Sequence, residues 1–299
     1  LEAFFMHSPL PVFALLLNAL IWGLSWWPFR LMHEAGLHPL WATAAMYALV
    51  LAGLLILRPA SLRQAWQYPV LLLLAASSGL NNVAFNWAVT VGDVVRVILL
   101  FYLMPAWAVL LAWKLLGEKP TPMALLRLLL AFGGVVLVLL PADASLSGLF
   151  AGLTLADALA VFGGFMFALT NVLLRRFQGI PAQARMLAMF AGCMSMGLLT
   201  ALSASSAGMV PGFPAFDSSW AFLALGLAVV LMFGNWALQF GAARLPSGVT
   251  SVVMLSEVVF ASISSVLIAH EQLSARTLAG GALIMGAALL ATLGRALKK

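Results

Sequence analysis

Charge is what this chain lacks most. Only 8% of its 299 residues are Asp, Glu, Lys or Arg, against roughly 25% in a soluble globular domain. So few ionic groups cannot cover a water-soluble body. Cysteine is almost absent: Cys193 stands alone, which excludes an intrachain disulfide framework. His7, His33, His38 and His270 all fall at the ends of apolar segments, and no H-E-x-x-H motif occurs. Nothing pairs a nucleophile with a base at depth, as an intramembrane protease or transferase requires. No Walker A loop is present either, so this chain does not itself burn ATP. The net charge of +6 comes from basic residues scattered singly, which speaks against a nucleic-acid partner. The expectation is a protein with no catalytic residues, no metal and no cofactor.

What the chain has instead is apolar length. It is 64% hydrophobic, with mean hydropathy +1.09. Crossing the hydrocarbon layer takes roughly 20 apolar residues, and turn residues cut the chain into ten such spans. They run over Leu10–Met32, Pro39–Leu57, Trp66–Val89, Val94–Leu116, Pro122–Leu140, Gly148–Leu174, Ala182–Ala204, Ser218–Ala243, Ser247–Ala269 and Ser274–Leu293. Joints such as "LHPL", "GEKPTP", "FQGIPA" and "HEQLS" separate them. The fold class is therefore all-α, polytopic in a membrane. The first span is too long for a signal-peptide core and lacks a small-residue cleavage site, so it is expected to be retained. An even count puts both termini on one side. Twelve of the fifteen basic residues fall on that side; only Arg30, Arg96 and Arg276 fall on the other. The positive-inside bias then makes the termini cytoplasmic. Trp66 and Trp220 read as membrane-interface residues.

The chain also repeats itself. "LLGEKPTPMALLRLLLAFGG" matches "IAHEQLSARTLAGGALIMGA", pairing Glu118 with Glu271 and Gly133 with Gly286, and "FNWA" at Phe85–Ala88 answers "GNWA" at Gly234–Ala237. Residues 1–145 and 146–299 thus form two five-helix repeats. Five is odd, so the repeats enter the membrane from opposite sides. Inverted repeats around a midplane site are a common transporter plan, with access alternating as the halves rock.

Trp22–Gly23, Pro105, the Gly117–Glu118 exit of span 4 and the five-plus-five layout resemble the drug/metabolite transporter superfamily in its ten-helix EamA-type branch. Within that branch the aromatic-rich sequence is most similar to bacterial exporters of aromatic and other neutral amino acids. The resemblance implies a secondary transporter in the bacterial inner membrane, among lipids, that exports amino acids by alternating access. Ten helices with their own repeat axis can form a complete path in a monomer, though the sequence leaves the oligomeric state open. Its drive is open between proton antiport and facilitated diffusion. The alternative is another small metabolite or drug on the same fold; a channel or an intramembrane enzyme stands further off. One departure is "SEVV", where many relatives carry Glu-Pro: Val258 stands opposite Pro105, so span 9 should be less kinked than span 4.

Polar side chains in lipid turn towards a cavity or another helix. Asn18, Trp22 and Trp26 share one face of span 1; Ser78, Asn82 and Asn86 one of span 3; Asn235 and Gln239 one of span 8. Thr250, Glu257 and Ser264 follow at seven-residue steps on span 9, as do Asp157, Gly164 and Asn171 on span 6. Spans 5 and 10 have almost no polar stripe. Spans 1, 3, 4, 6, 8 and 9 should line a path, with 2 and 7 flanking and 5 and 10 as supports. Phe101, Tyr102, Pro105, Phe165 and Trp236 complete the expected substrate cavity, whose aromatics and amides suit a neutral or zwitterionic solute. Glu257 is the sharpest signal, since an acid in mid-span costs roughly 2.5–3.5 kcal/mol. It either holds a substrate ammonium, passes a proton, or bonds helices together. The amides divide between ligand contact and interhelical hydrogen bonding. Glu118 and Glu271 read as loop or gate groups, and the Gly133–Gly134 and Gly280–Gly281 pairs with Gly286 as close helix packing.

Overall fold

A computed structural model describes residues 9–117, 119–139, 152–242, 253–254 and 256–296. Among these residues the regular structure is all helix. Span 1 is α1 (Leu10–Leu24) and α2 (Trp26–Glu34). It is followed by α3 (Pro39–Leu57), the short α4 (Ala60–Trp66) and α5 (Leu71–Val91). Span 4 is α6 (Val94–Phe101) and α7 (Met104–Leu116), followed by α8 (Pro122–Leu139). The second half contributes α9 (Leu155–Arg176), α10 (Ala182–Ser206), α11 (Ser218–Ala242), α12 (Ser256–Ile268) and α13 (Ala275–Ala296). Six of these segments are long and apolar enough to cross a membrane, seven when α4 and α5 are taken as one bent span. Two more, α8 and α12, are apolar but shorter.

The breaks have local causes. Pro105 has no N–H to give the carbonyl of Phe101; α6 ends at Phe101 and α7 starts at Met104. The chain bends by 113° between α4 and α5, where Pro69 keeps Tyr68 out of helical geometry. Span 3 therefore begins at Leu71, and Trp66 belongs to the bent-off α4, where it is 80% exposed. Trp220 differs from its interfacial reading. It is buried with Phe213 and Phe216 edge-on against its ring, and its indole N–H donates to the carbonyl of Ala215.

The two halves exchange their first helices. α1 packs on α11 and α12, while α9 packs on α5, α6 and α7. At each crossing a glycine carries the approach. A Cβ on Gly23 would lie 2.8 Å from the carbonyl oxygen of Glu257, and one on Gly164 would lie 2.5 Å from that of Phe101. α8 and α13 meet the same way, each through a glycine: Cβ atoms on Gly134 and Gly280 would each fall 2.6 Å from the other's carbonyl oxygen. Small residues at such crossings let backbones gain van der Waals contact that lipid cannot supply. Gly133 and Gly286 depart from the packing expected of them: a Cβ on either would meet open space.

Candidate functional site

Glu257 sits in the first turn of α12, half-buried, at the level where Gly23 touches its backbone and where spans 1 and 4 both break. The break in span 4 turns Tyr102 towards it, and the phenol O–H donates to its Oε2 at 3.3 Å. That is long for a hydrogen bond to a carboxylate, where about 2.5–2.7 Å is usual. The acid thus keeps accepting capacity. Around Tyr102 the walls are aromatic: Phe101 lies 4.8 Å from Phe85 and 5.6 Å from Phe167 between ring centres, and Phe165 meets Trp107 edge-on at 5.6 Å. Tyr102 and Phe101 share one buried apolar cluster with Val258, the residue after Glu257, and Phe165 touches Trp107 at the margin of that cluster. The side chains of Pro105, Asn235 and Gln239 lie outside the described residues, as does Thr250.

The amide stripe of α5 finds partners on the flanking helices. Asn86 donates to the hydroxyl of Thr43 on α3 at 3.0 Å. Asn82 accepts from the Tyr47 hydroxyl on α3 and donates to the Cys193 sulfur on α10 at 3.3 Å, and the Ser78 hydroxyl lies 3.5 Å from that sulfur. Spans 2 and 7 are thus tied to span 3 by polar bonds, a role the sequence reading missed in Tyr47 and Cys193. Asn18 donates to the carbonyl of Gly234 on α11. Asn171 is exposed and bonds back to Phe167; Trp236 is 66% exposed and stacks on Phe240; Trp22 packs partly buried against the apolar core beside α3.

A second polar cluster closes the end of the bundle nearer Glu271. Its carboxylate accepts from the backbone N–H of Val94 at 2.9 Å and of Val95 at 3.5 Å, capping the first turn of α6 where the helix dipole favours an anion. The same carboxylate pairs with Arg30 at 3.2 Å. Arg30 also donates to the carbonyls of Val89 and Gly92 and lies over the ring of Trp26, whose indole N–H donates to Ser264 at 3.0 Å. Beside it, Arg96 grips Asp157 with two bonds, 2.7 and 3.0 Å long, next to a cavity of about 530 Å³ lined by Asp93, Thr154 and Asp157 among others. Burial pushes the Asp93 carboxyl above its ordinary value and the Glu271 charge adds to this, against the opposing bond from the Arg96 amide. Glu271 continues the seven-residue rhythm of Glu257 and Ser264, a signal that was available in the sequence.

His38, just before α3, accepts from the Leu40 N–H at 3.3 Å. Burial, with the neighbouring His33, lowers it to about 4. Between pH 6.5 and 4 the unfolded chain takes up a proton at this ring that the folded chain refuses, so stability falls as pH falls through that window. The thermal midpoint in detergent should drop over this range, and the drop should shrink in His38→Asn, which keeps an acceptor but does not titrate.

Residues 9–140 and 154–293 match the EamA-like transporter family, one match per half. The chain belongs to that family. This EamA-like transporter finds no match among curated proteins. Among solved structures it is similar to one described only as the crystal structure of a protein, at 21% identity and a TM-score of 0.61 over 97% of this chain and 99% of the other. That likeness concerns the fold. Members of the family are transporters of small molecules, and this chain is accordingly a multi-pass membrane transporter.

Proposed function

We propose that this transporter exports amino acids, aromatic and other neutral ones, by alternating access across a bacterial inner membrane. Glu257 receives the substrate ammonium and the aromatic walls receive its side chain. The observation that carries the reading is the half-buried Glu257 carboxylate at the broken level of spans 1 and 4, held only by a 3.3 Å bond from Tyr102 among the described residues. An acid left with free accepting capacity beside apolar rings suits a solute that is cationic at one end and apolar at the other. The exchange of first helices between the halves supports two inverted repeats, and the distribution of Lys and Arg supports cytoplasmic termini. On this orientation the Arg30–Glu271 cluster faces outward. The transporter works without a cofactor, and its drive is either the proton gradient or the cell's own solute gradient.

Efflux of labelled phenylalanine, threonine and methionine from proteoliposomes, with and without a pH gradient, tests this. Saturable flux of at least one is expected, and its response to the pH gradient separates antiport from facilitation. Absence of saturable flux under both conditions removes amino acids as the substrate.

A further inference from the structure

Three polar side-chain contacts climb the face of α12 and the turn after it. At the bottom Glu257 meets Tyr102; seven residues on, Ser264 meets Trp26; seven further, Glu271 meets Arg30 and the first turn of α6. Every partner lies on α2 or on span 4. At the level of the lowest of these bonds, at Gly23, α1 and α12 touch backbone to backbone, with a Cβ on that glycine 2.8 Å from the carbonyl of Glu257 and 2.9 Å from the Cβ of Phe260. The contact has no slack and serves as a fulcrum. Above it the seam between α2, α6 and α12 combines a buried apolar cluster, in which Trp26, Val97 and Ala261 take part, with polar bonds that can break and be replaced by water. Spans 1 and 4 have their helix breaks at that same level, at Ser25 and at Tyr102–Leu103, so the segments above the breaks can tilt without unwinding helix.

We propose that Glu271 and Arg30 are the outer latch of the transport cycle: their contact with each other and with the α6 N-terminus holds the outer mouth shut, and export opens it by swinging α12 away from α2 and α6 about Gly23. The inference rests on the transporter reading and its orientation, but not on the identity of the solute. Glu271 is the centre of the latch because it makes two kinds of bond at once. It caps the first turn of α6 and neutralises Arg30, which in turn grips the span 3–4 turn through Val89 and Gly92 and covers Trp26. One carboxylate thereby joins span 9 to spans 1, 3 and 4. The turn that presents it is built for the purpose: His270 takes φ 55° and the Glu271 N–H returns to the carbonyl of Ser265, aiming the side chain back across the mouth. Neither residue touches Glu257, so both act by positioning helices and not by binding solute.

The chain's single cysteine makes the test clean. Cys193 is buried, and Cys193→Ser removes it as background. Ser264→Cys then places a near-isosteric reporter beneath the latch, at a position 6% exposed, while Met209→Cys on the same outer end, 73% exposed, is a permanently open control. Labelling from outside with a membrane-impermeant maleimide should be slow at residue 264 in the parent. It should accelerate by about tenfold or more with Glu271→Gln, the scale expected when a charge-assisted bond is lost, and to a similar extent with Arg30→Gln. The double variant should be no faster than Glu271→Gln alone, because both act through one contact. Arg30→Lys keeps the charge but not the fork and should fall between; it also covers the case where Arg30→Gln fails to fold. Asp217→Asn, an exposed acid outside the cluster on the same end, should leave labelling at the parent rate. Unchanged labelling at 264 in Glu271→Gln and Arg30→Lys, with residue 209 reacting fully, overturns the latch. The readout needs no solute, so a failure to transport amino acids and a failure of the latch give different results.

Discussion

Glu257→Gln is expected to lower amino-acid efflux by about thirty-fold at subsaturating substrate while leaving the protein folded. The amide has nearly the carboxylate's shape, so packing against α1 at Gly23 is kept, but it cannot balance an ammonium. Losing one partner of a desolvated charge pair costs at least about 2 kcal/mol, and that is close to thirty-fold at roughly 1.4 kcal/mol per factor of ten. Tyr102→Phe should cost much less, a few-fold, because the bond it removes is long and a net hydrogen bond is worth about 1 kcal/mol. The ordering of the two variants is the informative part. Equal flux in Glu257→Gln and the parent, measured in the proteoliposome assay with a melting curve as fold control, would leave Glu257 as a structural acid bonded to Tyr102.

The largest effect on stability should come from a single methyl group. At the crossing of α5 and α10 a Cβ on Gly192 would lie 2.0 Å from the carbonyl oxygen of Ala75, and one on Gly79 would lie 2.3 Å from the carbonyl oxygen of Gly192. No rotamer relieves a clash between a Cβ and a backbone oxygen, so the helices must separate. That also pulls Ser78 and Asn82 from Cys193, the residue next to Gly192. Gly192→Ala should therefore destabilise by about 3 kcal/mol, at the upper end of overpacking costs. Gly286→Ala, where a Cβ meets nothing within 4 Å, should be neutral or gain up to about 1 kcal/mol from helix propensity. Thermal midpoints of the two variants in the same detergent check the pair, and a Gly192→Ala protein as stable as the parent would mean that the crossing is loose.

Helical class, repeat and membrane residence were legible in the sequence because each is written locally, in apolar runs bounded by breakers and in a recurring Glu-and-Gly pattern. Pro105 likewise announced its break, since the missing N–H is a property of the residue itself. Glu257 stood out for the same reason: an acid within an apolar run is costly wherever the run packs. Its meeting with Tyr102 was not legible, for the two are 155 positions apart and only the break in span 4 turns the phenol inward.

The stripe of Ser78, Asn82 and Asn86 shows where local reading stops. Helical spacing put the three on one face, and they share it, but spacing does not say which neighbour that face meets. Their bonds run to α3 and α10. The glycines divide in the same way. Gly134 and Gly280 carry a crossing while Gly133 and Gly286 face open space, and position about the helix axis decides between them, one residue apart in the first case and six in the second.

By itself, then, the sequence determined what each segment is, because hydropathy, breakers and residue chemistry act over a turn or two of chain. Tertiary structure alone decided which polar groups meet. In a membrane interior a side chain of any one span can reach several neighbours, and helix crossing angle and axial rotation, set by close backbone contacts such as Gly23 on Glu257, select the pair that forms.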